Sequence, residues 1–154
     1  GEARLAALAD MAQHYGRAFE LAARKEGQTV DSYAFVNLWT ARLLHARLSG
    51  AKLPADAART VRDGCERVQR DAAAHPHPDF WSTAVVGDCE LLCALLDGRL
   101  AAAEQASIVG AYRAAFARGG SARERASVLD QVDFLIDLGV LRSGLKKVRE
   151  ALGA

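Results

Sequence analysis

The segment from Asp79 to Gly98, DFWSTAVVGDCELLCALLDG, constrains the fold more than any other part of the chain. Its apolar side chains recur every three or four residues, which is the spacing of one helix face. Small or apolar residues also occupy most of its other faces, so this helix must be covered on more than one side. The stripe predicted to be its main buried face consists of Trp81, Val85, Cys89, Leu92 and Leu96. If Trp81 lies in the core, its replacement by Ala should cost about 3–5 kcal/mol of stability.

Composition places the chain among folded proteins with a core of ordinary size. Its 154 residues are 51% hydrophobic and 25% charged, which is enough to bury a single core. The formal net charge of +1 gives no reason to expect a nucleic-acid partner. A run of about 20 apolar residues that could span a bilayer is missing, so we expect no membrane partner. The odd number of cysteines, with Cys89 and Cys93 one turn apart, favours reduced thiols and a cytoplasmic location.

Helical periodicity and glycine positions predict an all-α fold of six to seven antiparallel helices. Each helical pattern stops near a glycine, the residue that most easily adopts the left-handed backbone at a helix end. Ser121 and Glu124 have the spacing of a capping box at one helix start. The predicted helices cover residues 2–26, 31–49, 54–74, 79–98, 101–118, 121–138 and 142–152. We expect residues 1–154 to form a single helical-repeat domain, taken from a longer protein because the chain begins with Gly rather than Met.

Two segments, 31–44 and 79–92, resemble paired motifs of tetratricopeptide-repeat-like domains. The matching positions are Tyr33, Asn37, Thr40, Asp79, Trp81, Ala84, Glu90, Leu92, Gly98 and Tyr112. The chain is similar to the helical region that precedes the kinase domain of apoptosis-signal-regulating kinases and binds TRAF adaptors, and to related bacterial domains. The resemblance spans residues 12–118 and implies a right-handed tetratricopeptide-like array. The chain departs from the 34-residue repeat in its longer helices and uneven spacing, and a TRAF partner is not carried over.

A stacked helical array of this kind predicts binding rather than catalysis. Our hypothesis is a non-catalytic interaction module, or scaffold, within a larger intracellular signalling protein, which binds a protein or peptide on a preformed surface. The alternative is an oligomerisation or regulatory module attached to a catalytic domain, which forms a homodimer through its end helices. We expect no enzymatic activity and no cofactor. The residues predicted to contact the partner are Asn37, Thr40, Arg42, Ser82, Val86 and Arg123.

At two places the sequence contains residues that could bind a metal, and at both places a structural role explains them better. His75 and His77 alternate with prolines, which favours a rigid linker over a metal site. Cys89 and Cys93 lie in an apolar stripe, which favours packed core thiols over metal ligands.

Acidic residues raise two further hypotheses. Asp88 and Glu90 interrupt the apolar helix, and their separation of about 200° around a helix predicts that they point apart rather than act as an acid/base pair. An ion pair with an arginine of the third helix, or a polar network, is the better interpretation. Asp130, Asp133 and Asp137 form an acidic ridge at helical spacing. A solvated face explains this ridge more simply than a metal site, and a basic partner segment is the other option.

Overall fold

The computed structural model describes residues 1–23 and 32–153, and for residues 15, 16 and 18–23 it describes the backbone only. Throughout these residues the regular structure is helical, with seven α-helices and no strand. The helices are α1 (Glu2–Ala23), α2 (Ser32–Ser49), α3 (Ala57–Ala73), α4 (Phe80–Asp97), α5 (Ala102–Ala117), α6 (Ala122–Asp137) and α7 (Arg142–Leu152). The all-α class and the seven predicted helices are therefore confirmed.

Helix ends follow the predicted positions most closely in the second half of the chain. Asp79 and Gly98 flank α4, and Ser121 precedes α6 with both hydrogen bonds of the predicted capping box. The third helix starts at Ala57 instead of Pro54, because the carbonyl of Pro54 closes a turn with the amide of Ala57 before the helix begins. The predicted end of the first helix at residue 26 and the predicted cap Asp31 lie outside the described residues.

The chain divides into two compact units, Gly1–Cys65 and Glu66–Ala154. In the first unit α1 packs on α2, and α2 is buried on most of its circumference. The buried residues of α2 are Ala34, Phe35, Val36, Leu38, Trp39, Thr40, Ala41, Leu43 and Leu44. The single domain expected for residues 1–154 stays a prediction.

Gly64, in the middle of α3, allows the ring of Phe35 to lie directly against the α3 backbone. A methyl carbon at Gly64 would overlap that ring. We therefore expect Gly64→Ala to destabilise the protein by about 1–3 kcal/mol, because overpacking outweighs the better helix propensity of alanine. Gly110→Ala in α5 is the matched control, since a methyl carbon there meets no atom within 4 Å. It should raise stability by about 0.5–1 kcal/mol, and urea unfolding of both variants tests the pair.

In the second unit α4 packs on α5, while α7 contacts both α5 and α6. Its core is built from side chains of all four helices that have almost no exposed surface. The largest of these are Tyr112, Leu91, Leu92, Ile108, Leu135, Leu145, Val132, Val148 and Cys89. Gly144 contributes by letting Leu100 lie against α7, because a methyl carbon at that glycine would come within 2.9 Å of the leucine side chain.

The buried face of α4 differs from the predicted one at three of its five positions, because Trp81 is exposed and Val85 and Leu96 are only half-buried. Cys89 and Leu92 are fully buried as predicted, but Trp81 is 51% exposed and Phe80 beside it is 3% exposed. The prediction that Trp81 is a core residue is therefore wrong. The buried residues of α4 are Phe80, Ala84, Gly87, Cys89, Leu91, Leu92, Ala94 and Leu95. Phe80, Ala84 and Gly87 lie on one buried stripe, and the absence of a side chain at Gly87 leaves room for the Tyr112 ring of α5.

Two predictions from composition can be compared with the structure. Among the described residues no helix is both long and apolar enough to cross a bilayer. The three cysteines are thiols rather than disulfides, with Cys65 and Cys89 buried and Cys93 half-buried. Of the two cysteines predicted to be packed core thiols, Cys89 is buried, whereas Cys93 lies at the edge of the core.

Candidate functional site

The start of α4 is held by a reciprocal capping box. Asp79 Oδ1 accepts a hydrogen bond from the Ser82 amide at 2.8 Å, and Ser82 Oγ accepts one from the Asp79 amide at 2.9 Å. The bond from the Ser82 amide is the main reason that the pKa of Asp79 is lowered below 3.8. Because both side chains satisfy amides of the first helical turn, the backbone that carries Trp81 is well fixed.

Three aromatic rings meet at this helix start. The rings of Phe80 and Phe116 stack with their planes 3° apart and their centroids 6.2 Å apart. Trp81 meets Phe80 edge to face, with a centroid distance of 4.9 Å. Phe80 is buried and Phe116 is half-buried, so these two rings support an indole that is half exposed to solvent.

Arg125 completes the cluster from the first turn of α6. Its guanidinium carbon lies 5.5 Å from the centroid of the Phe116 ring. The same guanidinium donates hydrogen bonds to the carbonyls of Gly120 and Phe116, at 3.2 and 3.4 Å. Arg125 therefore secures the loop between α5 and α6 and places a positive charge beside the rings. We call Trp81, Phe80, Phe116 and Arg125 the Trp81 surface.

Gly120 explains why this loop can approach the rings so closely. A methyl carbon at Gly120 would lie 2.8 Å from the Phe80 ring. A side chain at this position would overlap the Phe80 ring, so either the loop or the ring would have to move. The Trp81 surface thus depends on side chains from α4, α5 and α6 together with this one close backbone contact.

Asp88 and Tyr112 form a polar link inside the α4–α5 contact. The Tyr112 hydroxyl donates to Asp88 Oδ1 at 2.7 Å, and Tyr112 has no exposed surface. Burial raises the pKa of Asp88 from 3.8 to about 6, and the bond from Tyr112 opposes part of that rise. Burial and the nearby Asp88 carboxylate raise the pKa of Tyr112 well above 10.0. This hydrogen bond therefore links α4 to α5 inside their contact.

Glu90 makes the second link between the same helices. Ser107 Oγ donates to Glu90 Oε1 at 2.7 Å, whereas Glu90 Oε2 is buried and makes no hydrogen bond within the described residues. The sequence predicted that Asp88 and Glu90 point apart and join a polar network or an arginine of the third helix. Both side chains bond to residues of the neighbouring helix α5, in two separate hydrogen bonds that involve no arginine of α3.

The three predicted partner-contact residues of the first unit differ in how accessible their side chains are. In the first unit, Thr40 is buried, and Asn37 donates to the carbonyl of Tyr33 within its own helix at 2.9 Å. Arg42 is exposed and lies over the ring of Trp39, 5.1 Å from its centroid. Burial of Thr40 leaves its hydroxyl little access to a partner.

The predicted contact residues of the second unit lie close to the Trp81 surface in sequence. Ser82 belongs to the capping box, Val86 is half-buried on α4, and Arg123 is exposed in the first turn of α6. The structure thus places Ser82 and Arg123 in the same segments as Trp81 and Arg125. That these residues contact a partner stays a prediction.

The remaining acidic and histidine positions have structural surroundings. Asp133 Oδ1 pairs with Arg149 Nε at 2.9 Å, while Asp130 and Asp137 are exposed. His75 Nδ1 accepts from the His77 amide at 3.1 Å, which fits a linker. In the part of the chain that is described, no cluster of three or more His, Cys, Asp or Glu residues could hold a metal ion. A groove of about 510 Å³ between α6 and α7 is lined by Ile136, Lys146, Lys147, Arg149, Glu150 and Gly153.

Sequence patterns alone did not identify Phe80, Phe116 and Arg125 as neighbours of Trp81. A cue for Phe80 was available, because it occupies the helix position directly after the cap Asp79 and shares a stripe with Ala84 and Gly87. No local pattern could have shown the stacking of Phe116 or the placement of Arg125. Both depend on how the α5–α6 loop folds back at Gly120.

Comparisons of this chain with protein-family models, with curated proteins and with solved structures find no match. The Trp81 surface, the Asp88–Tyr112 pair and the Glu90–Ser107 pair are therefore interpreted from their own geometry.

Proposed function

We propose that this chain is a non-catalytic protein-interaction module, a scaffold within a larger cytoplasmic signalling protein. It would bind a protein or peptide through a preformed surface and require no cofactor. We also propose that its helices form a right-handed antiparallel array of the tetratricopeptide-like kind, related to the helical regions of apoptosis-signal-regulating kinases and bacterial multidomain proteins. The thiol state of the three cysteines supports a reducing compartment.

The observation that carries this proposal is the half-exposed indole of Trp81 on a rigid support. Tryptophan and arginine are the side chains most enriched among residues that dominate binding energy, and Trp81 and Arg125 lie in one cluster. An exposed tryptophan that is already held in place loses little conformational entropy when a partner covers it. The capping box and the Phe80–Phe116 stack provide that preorganisation.

The links between α4 and α5 support the antiparallel array. Asp88 bonds to Tyr112, and Glu90, further along α4, bonds to Ser107, which is earlier in α5. Antiparallel neighbours produce this reversed order of contacts, and paired antiparallel helices are the unit of helical repeat domains.

The alternative is an oligomerisation or regulatory module that dimerises through its end helices. The first helix favours it, because among residues 1–14 only Leu8 is buried. Leu5, Met11 and Ala12 keep part of their surface exposed, and a second copy could cover them.

Selection of peptides from a displayed library against the intact chain tests the proposal. We expect a convergent family of peptides that bind with micromolar affinity by fluorescence polarisation, or about −8 kcal/mol. Trp81→Ala should weaken them at least about tenfold, which corresponds to about 1.4 kcal/mol.

Tyr33→Ala is the matched control for this measurement. It removes a ring that is 61% exposed, and it lies in the first unit rather than at the Trp81 surface. Peptide affinity should stay at the wild-type value. Failure to enrich any family of peptides, or enriched peptides that bind both variants equally well, would contradict the proposal.

A further inference from the structure

The segment 116–125, which supplies Phe116 and Arg125 to the Trp81 surface, has more exposed basic than acidic side chains. Arg118, Arg123 and Arg125 are exposed in the segment that passes Phe80 at Gly120. The two carboxylates of the same region, Asp79 and Glu124, each accept a hydrogen bond from a helix-start amide. Their charges are therefore directed at helix N-termini, which leaves the arginines to attract an acidic partner.

A second surface of the same unit has the complementary chemistry. Phe134 of α6 is 47% exposed, and Asp130 and Asp137 lie four residues before and three residues after it. These spacings put the three side chains on one helix face, and all three are exposed. No basic residue occurs in sequence between Arg125 and Arg142, and Arg149 of α7 pairs with Asp133 of the same ridge. Along α6, the exposed ring of Phe134 therefore lies between the two exposed carboxylates of Asp130 and Asp137. We call Asp130, Phe134 and Asp137 the acidic stripe.

The two surfaces can be used by one molecule at the same time. Arg125 and Phe134 are nine residues apart on α6, which places them about 180° apart around the helix. A second copy bound at one surface therefore leaves the other surface open. Contacts between two different surfaces of identical chains are heterologous, and they continue into chains or rings unless the rotation closes them.

We propose that the partner of the Trp81 surface is a second copy of this chain, whose acidic stripe docks against it head to tail. In this contact Phe134 of one copy covers the indole of Trp81 in the next, and the aspartates meet the arginines around the rings. The proposal rests on the proposed function, since it names the occupant of the same surface. The area offered by two half-exposed rings and a few charges is small, which makes the association weak and dependent on concentration. Because the charges lie at the rim, added salt should weaken it further.

Light scattering and sedimentation velocity of the full chain, over a range of concentrations, test this proposal. Wild-type mass should rise with concentration and pass the mass of a dimer. Trp81→Ala and Phe134→Ala should each remain monomeric, because each lacks one half of the contact. Both side chains are exposed, so both variants should fold, which circular dichroism and melting verify.

Mixing the two variants gives the most specific outcome. The intact acidic stripe of Trp81→Ala can dock on the intact Trp81 surface of Phe134→Ala, so an equimolar mixture should form a one-to-one dimer that does not grow. Tyr33→Ala should associate like the wild type. Two monomeric variants that fail to pair when mixed would overturn the head-to-tail contact. It would also be overturned if Trp81→Ala alone and Phe134→Ala alone each still formed a dimer.

The result also separates this proposal from the proposed function. A wild-type chain that stays monomeric at every concentration, yet selects peptides that require Trp81, would overturn self-association and leave the interaction module standing. Selected peptides whose affinity does not depend on Trp81 would contradict the proposed function itself.

Discussion

Replacement of Phe80 by Ala should destabilise the protein by about 3–5 kcal/mol, the cost of removing a buried aromatic ring. Phe80 is 3% exposed, stacks on Phe116 and fills the space left by Gly120. Its loss opens a cavity between α4 and the α5–α6 loop, which the glycine cannot fill. Urea unfolding followed by circular dichroism measures the change in the free energy of unfolding.

Trp81→Ala is the control, because it removes a larger ring from the neighbouring residue. Trp81 is 51% exposed and contacts Phe80 through an edge, so its loss should cost no more than about 1 kcal/mol. The prediction from sequence was the opposite, a cost of about 3–5 kcal/mol for a core tryptophan. If Trp81→Ala proves as destabilising as Phe80→Ala, the assignment of the buried ring is wrong.

The helices could be predicted because their determinants are local. Asp79 and Gly98 flank α4 as predicted, and Gly98 adopts the left-handed backbone with φ +68° that favours glycine at a helix end. The same holds for α6, whose capping box needs only Ser121 and Glu124. Caps and periodicity act within a few residues, so one sequence is enough to recognise them.

The site was harder to predict because it depends on contacts between helices. Periodicity allowed stripes starting at Phe80 or at Trp81, which differ by only about 100° around the helix. Contacts of Phe80 with Phe116 and Gly120 determine which stripe is buried, and these two residues lie more than thirty residues later in the chain. The Asp88–Tyr112 pair has the same origin, since nothing near Asp88 in sequence specifies a buried hydroxyl.

That pair leads to the second large expected effect, on the pH dependence of stability. The pKa of Asp88 is about 6 in the folded protein against an ordinary 3.8. Between these values the folded chain holds a proton that the unfolded chain has released, so stability falls as the pH rises from about 4 to about 6. Without screening the loss would be about 3 kcal/mol; because Asp88 retains some exposed surface, we expect about 1–3 kcal/mol.

Asp88→Asn should remove this penalty. The Asn carbonyl can still accept the bond from Tyr112, and an amide does not ionise. Near pH 4 the variant and the wild type should therefore be about equally stable, and near pH 8 the variant should be more stable by about 1–3 kcal/mol. Chemical unfolding at several pH values, expressed as the difference between the two proteins, cancels the contribution of every other carboxylate.

One further variant decides whether Asp88 is the cause. Tyr112→Phe deletes the hydroxyl that holds the pKa of Asp88 down, so the fall in stability should become larger and extend to higher pH. A wild-type protein whose stability relative to Asp88→Asn is constant from about pH 4 to about pH 8 would contradict a raised pKa. In that case the Asp88 carboxylate would be as well solvated in the folded chain as in the unfolded one.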